Sequence, residues 1–512
     1  MSYSIPGLPR GYRYPQQQGW LSFAGGLNMR DQPSELGPED FIDGRNVTCD
    51  ERGGVASRLG YTKFNGTAYD GSLKVQNLYW SPLLGSNVVQ AGANLYLGTG
   101  NTIRKTFTTS ARAVFAELAG KVFAGHPVDG LFSTTDGITW TAVASANKPA
   151  TVVALAVWQN KLWAVLASSA RVQFSDPGDG TTWTTNNWVD LREKDNDDLV
   201  ALHIGSGQDI LGRPGLFAFK RDSGYRIHDA TTGAYETVDA TVGCASAIAV
   251  VGVGGSVYTL SKRGVFRWTS GQLGAVNMSD KLRPLWDPSQ VNVTQLGLWA
   301  AGRYKNRAVF SLTRAGSTAN DLALELHTEQ GWMTAGSNAM SCYMTSSGAA
   351  EQTYGGSPTV AGQAYQLNTG GTDDGAAINW LLQTRWLDLL GGYTASVHRL
   401  NMRGRGGPFT IETRRDFVEV GDKAAQTFVQ SSSILYDAGL HYDTGLLYYV
   451  AADESDVVQY GPGAAKQLSL VFSGSSSTTF AGLPVLGAGT PPQLGAFALF
   501  QVEALYTRLG FN

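Results

Sequence analysis

The sequence predicts an all-β protein with a β-propeller of six to eight blades at its centre. Three observations lead to this prediction. Apolar and polar residues alternate over short runs along almost the whole chain, which is the period of β-strands. The 63 glycines are spread among these runs without a collagen-like period, as expected where tight turns are numerous. Similar strands and two similar turns recur at roughly the length of a four-stranded blade.

The recurring strand has a polar residue or glycine followed by alternating apolar positions. Several steps between copies fall near roughly 40 to 55 residues, the length of a propeller blade. A β-sandwich or another β-fold stays open as an alternative, because any all-β chain contains strands of this kind. The copies are Asn94–Leu97, Lys121–Ala124, Lys161–Ala164, Gly215–Ala218, Ser256–Thr259, Arg307–Phe310 and Gln363–Gln366.

Two turns share the pattern Ser, two or three residues, Asp-Gly-x-Thr-Trp, and each follows a Lys-apolar-aromatic-Ala strand. In such a turn the Asp and Ser side chains bond backbone groups, glycine adopts a left-handed conformation, and tryptophan packs between sheets. The turns resemble the Asp-box of sialidase-type propellers, where it is a structural turn rather than a catalytic one. The predicted turn residues are Ser133, Asp136, Gly137, Thr139, Trp140, Ser175, Asp179, Gly180, Thr182 and Trp183.

The chain divides into three predicted regions: an N-terminal arm and platform segment at 1–70, the propeller at 71–375, and a C-terminal β-sandwich-like domain at 376–512. One helix is predicted at Pro38–Ile42, because proline suits the first helical position and acids suit the helix N-terminus. Residues 474–492 are rich in Gly, Ser and Pro and predict an exposed loop. The C-terminal strands are predicted at Trp380–Leu389, Ser396–Arg403, Phe409–Arg414, Gln467–Phe472 and Phe497–Val502.

Composition predicts a protein with broad neutral surfaces. Net charge is −3 and only 16% of residues are charged, which suits permanent contacts between subunits and gives no reason to expect a nucleic-acid-binding domain. No apolar run is long enough for a membrane helix and no secretory signal opens the chain, so we expect a soluble protein synthesised in the cytoplasm. Cys49, Cys244 and Cys342 have neither disulfide nor zinc-site spacing and are expected to be buried thiols.

No catalytic residue, cofactor or metal ligand is predicted, and the chain is expected not to be an enzyme. The six histidines lack metal-ligand spacing, and no phosphate-binding loop occurs. The acidic segments Asp195–Asp198 and Asp373–Asp374 are interpreted as solvated loops, with calcium binding as the alternative. A sialidase-like enzyme would need converging arginines, and the sequence leaves open whether its candidates converge. These are Arg221, Arg226, Arg263 and Arg267.

The two ends of the chain carry ordered short motifs. The N-terminal motifs are Phe23–Asn28, Pro33, Glu35–Leu36, Pro38–Glu39, Arg45–Val47, Gly53–Gly54 and Arg58–Tyr61. The C-terminal motifs are Thr384–Leu389, Arg403–Gly406 and the strand Phe497–Tyr506. In this order and placement, the motifs resemble those of podophage tail nozzle, or tail hub, proteins.

This resemblance implies a structural virion protein: a propeller flanked by a platform domain built from both chain ends. Copies would form a sixfold ring that continues the DNA channel below the portal and adaptor. The implied partners are identical copies, portal and adaptor proteins, and tail fibres or spikes, with genomic DNA passing without sequence-specific binding. The alternative is a sialidase-like or glycan-binding tail propeller that acts on host surface polysaccharide.

Overall fold

The computed structural model describes most of the chain and divides it into two compact units. Unit 1 comprises residues 1–59 and 370–512, and unit 2 comprises residues 60–369. The predicted boundaries lay after residues 70 and 375. The described residues are 16–17, 22–33, 35–49, 54–70, 73–192, 197–208, 214–229, 231–347, 351–388, 395–406, 409–417, 422–426, 455–465, 467–476 and 497–508.

The N-terminal part of unit 1 holds five short strands. They are β1 (Gln16–Gln17), β2 (Gly26–Leu27), β3 (Asp40–Arg45), β4 (Val47–Cys49) and β5 (Val55–Ser57). The helix predicted at Pro38–Ile42 is wrong, because this segment enters β3. Phe41 of β3 is fully buried and pairs with Thr384, so sheet pairing outweighs the local helix signals.

Unit 2 opens with β6 (Tyr61–Lys63) and continues with five separate four-stranded antiparallel sheets, called blades 1 to 5. Blade 1 is β7 (Val75–Ser81), β8 (Ser86–Ala91), β9 (Asn94–Leu97) and β10 (Lys105–Thr106). Blade 2 is β11 (Val114–Leu118), β12 (Lys121–His126), β13 (Gly130–Thr134) and β14 (Thr141–Ala142). Blade 3 is β15 (Ala154–Trp158), β16 (Lys161–Val165), β17 (Arg171–Phe174) and β18 (Trp188–Asp190).

Blades 4 and 5 repeat the same strand order. Blade 4 is β19 (Leu199–Gln208), β20 (Pro214–Lys220), β21 (Gly224–Ile227) and β22 (Tyr235–Asp239). Blade 5 is β23 (Val250–Val253), β24 (Ser256–Ser261), β25 (Gly264–Trp268) and β26 (Val276–Asn277). The all-β class and the propeller arrangement are therefore confirmed.

Two short 3₁₀ helices, Asp280–Trp286 and Val293–Leu298, follow blade 5. The next antiparallel run is β27 (Ala300–Tyr304), β28 (Arg307–Leu312), β29 (Leu322–His327) and β30 (Met333–Gly336). The last is β31 (Tyr343–Ser346), β32 (Gln352–Gly356) and β33 (Ala364–Leu367), and β6 pairs with β33 as its fourth strand. Both runs belong to one larger sheet, so the described residues form five separate blades where six to eight were predicted.

The first strands of consecutive sheets contact one another around unit 2. These contacts run from β7 through β11, β15, β19 and β23 to β27 and β31, and β31 contacts β7. Apolar clusters fill the spaces between neighbouring sheets: one joins Leu131 of blade 2 to Leu162 of blade 3, and another joins Val172 of blade 3 to Leu216 of blade 4. The core of unit 2 is thus a series of layers between sheets, as in a propeller.

Four predicted strands of the C-terminal part of unit 1 fall within strands of the structure: β37 (Ala395–Gly406), β38 (Phe409–Arg415), β41 (Gln467–Ser476) and β42 (Phe497–Arg508). The fifth, Trp380–Leu389, covers the end of β35 (Ala376–Thr384) and all of β36 (Leu387–Asp388), and Leu389 lies outside the described residues. Residues 474–476 belong to β41, so this part of the predicted loop at 474–492 is wrong, and residues 477–492 lie outside the described residues. The other described strands in this part of unit 1 are β34 (Thr372–Asp373), β39 (Asp422–Gln426) and β40 (Ser455–Ala465).

Candidate functional site

The first Asp-box-like turn connects β13 to β14 and is organised by the carboxylate of Asp136. One oxygen of Asp136 accepts the backbone N–H groups of Ile138 at 2.8 Å and Thr139 at 2.9 Å. The hydroxyl of Thr134 also donates to this oxygen, at 2.9 Å. These bonds, led by the N–H of Thr139, lower the pKa of Asp136. Ser133 instead lies within the ladder of β13, so the hydroxyl that serves the turn is its neighbour.

The glycine and tryptophan of this turn face blade 1. Gly137 has φ +72°, and a methyl group there would lie 2.9 Å from Leu84 and 3.0 Å from Leu97. Trp140 meets the ring of Phe115 edge-on, with centroids 6.4 Å apart, and joins the apolar cluster between blades 1 and 2. The turn therefore closes its own blade and packs against the preceding one.

The second turn connects β17 to β18 and uses two carboxylates. Asp179 accepts the hydroxyls of Thr181 and Thr182, both at 2.6 Å, and these bonds lower its pKa. Asp176 accepts Thr184 Oγ1 and Asn187 Nδ2, both at 2.9 Å, which spans the longer loop. Ser175, which is fully buried, binds main-chain groups through its hydroxyl.

Gly180 and Trp183 of this turn pack against blade 2. A methyl group on Gly180 would lie 2.5 Å from the ring of Phe123, so close approach rather than a left-handed backbone requires glycine there; Gly178 has the left-handed φ of +74°. Trp183 is 2% exposed, and its Nε1 donates to the carbonyl of Gly180 at 3.0 Å. Its backbone N–H donates to Ser145 after β14 at 3.3 Å. Both turns thus connect successive blades.

The N-terminal motif residues form a buried polar network in unit 1. Asn28, 2% exposed, donates from Nδ2 to Asp40 at 2.8 Å and to Asp31 at 2.9 Å. A side chain on Gly25 would overlap the carboxylate of Asp40, and Gly26 has φ +77°. The paired glycines are required because Asp40 approaches the backbone so closely.

A second network joins the two ends of the chain within unit 1. The guanidinium of Arg58, 7% exposed, donates to Asn46 Oδ1 at 2.8 Å and to both oxygens of Asp373 at 2.8 and 2.5 Å. Asn46, at φ +56°, donates from Nδ2 to the carbonyl of Asn379 at 2.7 Å. The interpretation of Asp373 as part of a solvated acidic loop is therefore wrong, because it pairs with a buried arginine.

A cavity of about 510 Å³ lies where the chain enters the first strands of blades 2 to 5 and β27, and we call it the entry cup. Small neutral residues form much of its wall. The wall residues include Val153, Ala167, Ser168, Ala245, Ala247 and Gly297.

The guanidinium of Arg112 closes part of the entry cup. Its Nε donates to the carbonyl of Gln76 on β7, and its Nη1 donates to the carbonyl of Gly297 just before β27, both at 2.9 Å. Arg112 itself precedes β11, so one side chain joins three groups of strands. Burial lowers the pKa of this guanidinium, but two carbonyl acceptors compensate its charge.

The entry cup also carries Asp197, Asp198 and Arg221. The carboxylate of Asp197 accepts the backbone N–H groups of Arg221 at 3.3 Å and Asp222 at 3.0 Å. Asp198 and Arg221 are exposed. Within the described part of the chain, the Asp198 carboxylate and the Arg221 guanidinium have no hydrogen-bond or ion-pair partner. The cup thus contains two charged groups held by the protein and two that are available.

The four candidate arginines are distributed over blades 4 and 5 rather than grouped at one cavity. Arg221 lines the entry cup, whereas Arg226 on β21 pairs with Glu236 on β22 at 2.6 Å. Arg263 lies in the turn between β24 and β25, and Arg267 lies on β25. Of the four, only Arg221 lines the cup, so the structure does not bring three of them together there.

The contacts of His126 indicate a role in packing rather than in binding a metal. Its ring is fully buried and stacks on Phe107 with centroids 4.3 Å apart. Nδ1 accepts the backbone N–H groups of Val128 at 3.3 Å and Asp129 at 3.1 Å. Burial lowers the pKa of His126, and the carboxylate of Asp129, 3.0 Å from Nδ1, acts in the opposite direction.

Within the described ranges, no group of three His, Cys, Asp or Glu side chains is arranged to hold a metal ion. Asp195 and Asn196 of the first acidic segment lie outside those ranges. All three cysteines are buried free thiols, as expected, and burial raises the pKa of Cys244 to about 12. In the same described part, no helix has the length and apolar character needed to cross a membrane.

Comparison with protein-family models gives no match, and comparison with curated proteins gives none either. Among solved structures, the extracellular domain of a putative one component system from B. thetaiotaomicron aligns with a TM-score of 0.44 and 9% identity. The alignment covers 76% of this chain and 56% of that one. The designed Ika8 protein aligns at TM-score 0.34 and 11% identity, covering 60% of this chain and 99% of its own. A chain of the Mitotic Checkpoint Complex aligns at 0.42 and 12%, covering 60% and 92%.

Proposed function

We propose that this chain is a structural component of a bacteriophage tail that forms a nozzle or hub ring of six copies, in keeping with the resemblance of its end motifs. The observation that carries the proposal is the network of Asn46, Arg58 and Asp373. Two of these residues belong to N-terminal motifs, and Asp373 lies at the start of the C-terminal part of unit 1, residues 370–512. In this proposal the motifs would join the N-terminal and C-terminal parts of unit 1, and this unit would be the platform that the resemblance implies.

The propeller has seven blades in this proposal. The runs β27–β30 and β31–β33 with β6 would be the sixth and seventh, because their first strands complete the circle of contacts that begins and ends at β7. Pairing of β6 with β33 would close the propeller by combining strands from its two chain ends. The unit built from both chain termini would be the β-sandwich-like platform.

The ring would continue the DNA channel below the portal and adaptor, and its other partners would be tail fibres or spikes in the virion. Arg112 ties three groups of strands together at the mouth of the propeller. DNA would therefore pass between copies of the chain rather than through a propeller. The contribution of each copy is rigidity, since side chains packed between blades resist deformation.

Mass measurement of the purified full chain, alone and mixed with portal–adaptor complexes from the same virion, tests the proposal. We expect a species of six 54.6 kDa chains, formed alone or on the portal–adaptor complex. A chain that stays monomeric and does not bind the complex would overturn the proposal. Hydrolysis of host polysaccharide that depends on an acid of this chain would instead support the enzymatic alternative.

A further inference from the structure

The entry cup has the features of a small-molecule site that ring assembly does not require. Its volume of about 510 Å³ falls within the range of ligand pockets. It is built from segments that lead into the rigid first strands of several blades, so its wall is held by the sheets behind it. Ligand sites of this kind are usually formed before the ligand binds.

The charged side chains of the cup differ in whether the protein itself supplies hydrogen-bond partners for them. Arg112 donates to two carbonyls, and Asp197 accepts two backbone N–H groups, so both are occupied by the fold. Asp198 and Arg221 carry one negative and one positive charge and are not held in this way among the described residues. A ligand would therefore meet one free acceptor group and one free donor group.

The neutral part of the wall narrows the class of ligand. None of the residues that line the cup is aromatic, so the stacking platform that commonly binds a sugar ring is missing from this lining. A purely anionic ligand would face Asp198, and a purely cationic one would face Arg221. A molecule that carries both charges satisfies both groups without leaving either unpaired.

We propose that the entry cup binds a small zwitterion, an amino-carboxylate whose carboxylate pairs with Arg221 and whose ammonium group pairs with Asp198. The planar guanidinium suits a carboxylate because it donates two parallel hydrogen bonds. The carboxylate of Asp198 accepts from an ammonium group of any orientation. The site does not depend on the ring proposed above, and a monomeric chain would retain it.

Isothermal titration of the full chain with glycine, β-alanine, γ-aminobutyrate, δ-aminovalerate and ε-aminocaproate tests this inference. The distance between the two charges grows along the series, so binding should be strongest at one length. Acetate and methylammonium, which carry one charge each, should bind about tenfold more weakly, because each lacks one of the two charge-assisted contacts. Binding of acetate as tight as that of the best amino-carboxylate would overturn the proposal. So would the absence of binding by every amino-carboxylate at 10 mM, roughly the weakest affinity of interest.

Substitution of the two side chains separates the site from general binding. Arg221→Gln and Asp198→Asn should each weaken the best probe by about tenfold or more. Both side chains are exposed, so the far-UV spectrum and Tm should stay unchanged. Arg283→Gln is the matched control, because Arg283 is also exposed and does not line the cup. Equal affinities for all three variants and the unsubstituted chain would refute the assignment.

Discussion

Replacement of Trp183 by alanine should destabilise the propeller more than any exposed substitution in the same blade. The ring is 2% exposed, lies in the cluster between blades 2 and 3, and donates a hydrogen bond to Gly180 at 3.0 Å. Loss of a buried tryptophan ring costs about 3–5 kcal/mol when the surroundings do not collapse. The short contact between Gly180 and Phe123 limits such collapse. We therefore expect Trp183→Ala to lower the free energy of unfolding by about 4 kcal/mol.

Trp188→Ala is the matched control, because it removes the same ring from the outer strand of the same blade. Trp188 is 37% exposed and stacks one face on the guanidinium of Arg171, 3.8 Å from the ring centroid. An exposed cation–π contact contributes about 0.5–1 kcal/mol, so the expected loss is about 1 kcal/mol. The two variants share chemistry and blade, and differ in burial.

Urea denaturation followed by far-UV circular dichroism measures both losses, and hydrogen exchange locates them. Trp183→Ala should speed exchange in blades 2 and 3 and leave blade 5 unchanged, since its contacts are with neighbouring blades. If the two substitutions cost the same, or if exchange rises equally in all blades, the interpretation of the turn as a connector between blades is wrong.

Three further outcomes follow from buried contacts. Asp373→Asn should cost about 3–5 kcal/mol in urea denaturation because it leaves Arg58 buried without its counter-charge, whereas the conservative change Asp374→Asn should cost far less. Unfolding free energy should fall as the pH drops below about 6.5, because burial lowers the pKa of His126 and the unfolded chain therefore takes up a proton more readily than the folded one. His126→Gln should reduce this slope, and the remainder should include His203, whose pKa burial also lowers. Gly224→Ala should lower Tm, since its methyl group would overlap the ring of Trp268.

The propeller could be predicted because its repeats lie in the best-formed strands. Five of the seven recurring segments are second strands, in blades 2 to 5 and in β28, where both neighbours in the sheet are present. After a first polar residue such strands are buried at successive positions, because each face meets another sheet. The outer strands are short and exposed, so their sequence carries no comparable signal.

Details of the turns could be predicted only in part. The pattern located both Asp136 and Asp179, because in these turns the groups that donate to the carboxylate lie only two or three residues from it. It did not show that Thr134 supplies the hydroxyl in place of Ser133, since adjacent residues of a strand point to opposite faces and only the pairing register decides between them.

Contacts between distant parts of the chain could not be predicted from the sequence. Arg58 and Asp373 are 315 positions apart, and nothing local distinguishes Asp373 from a solvated loop residue. The same holds for Arg112, whose two acceptors are Gln76 on β7 and Gly297 in the second 3₁₀ helix. The strand at Asp40–Arg45 was mistaken for a helix for a related reason, because pairing with Thr384 decides its conformation.

The failure to count blades from the repeats has a physical explanation. Neighbouring sheets fit through particular pairs in which a glycine of one sheet admits a large side chain of the next, and the pairs differ at each junction. Gly224 admits Trp268 of blade 5, while Gly302 on β27 admits Tyr343 on β31. Because different residues fill different junctions, the sequence lacks the uniform period that a repeat search needs. The regularity that survives is in backbone pairing, which the amino-acid sequence encodes only indirectly.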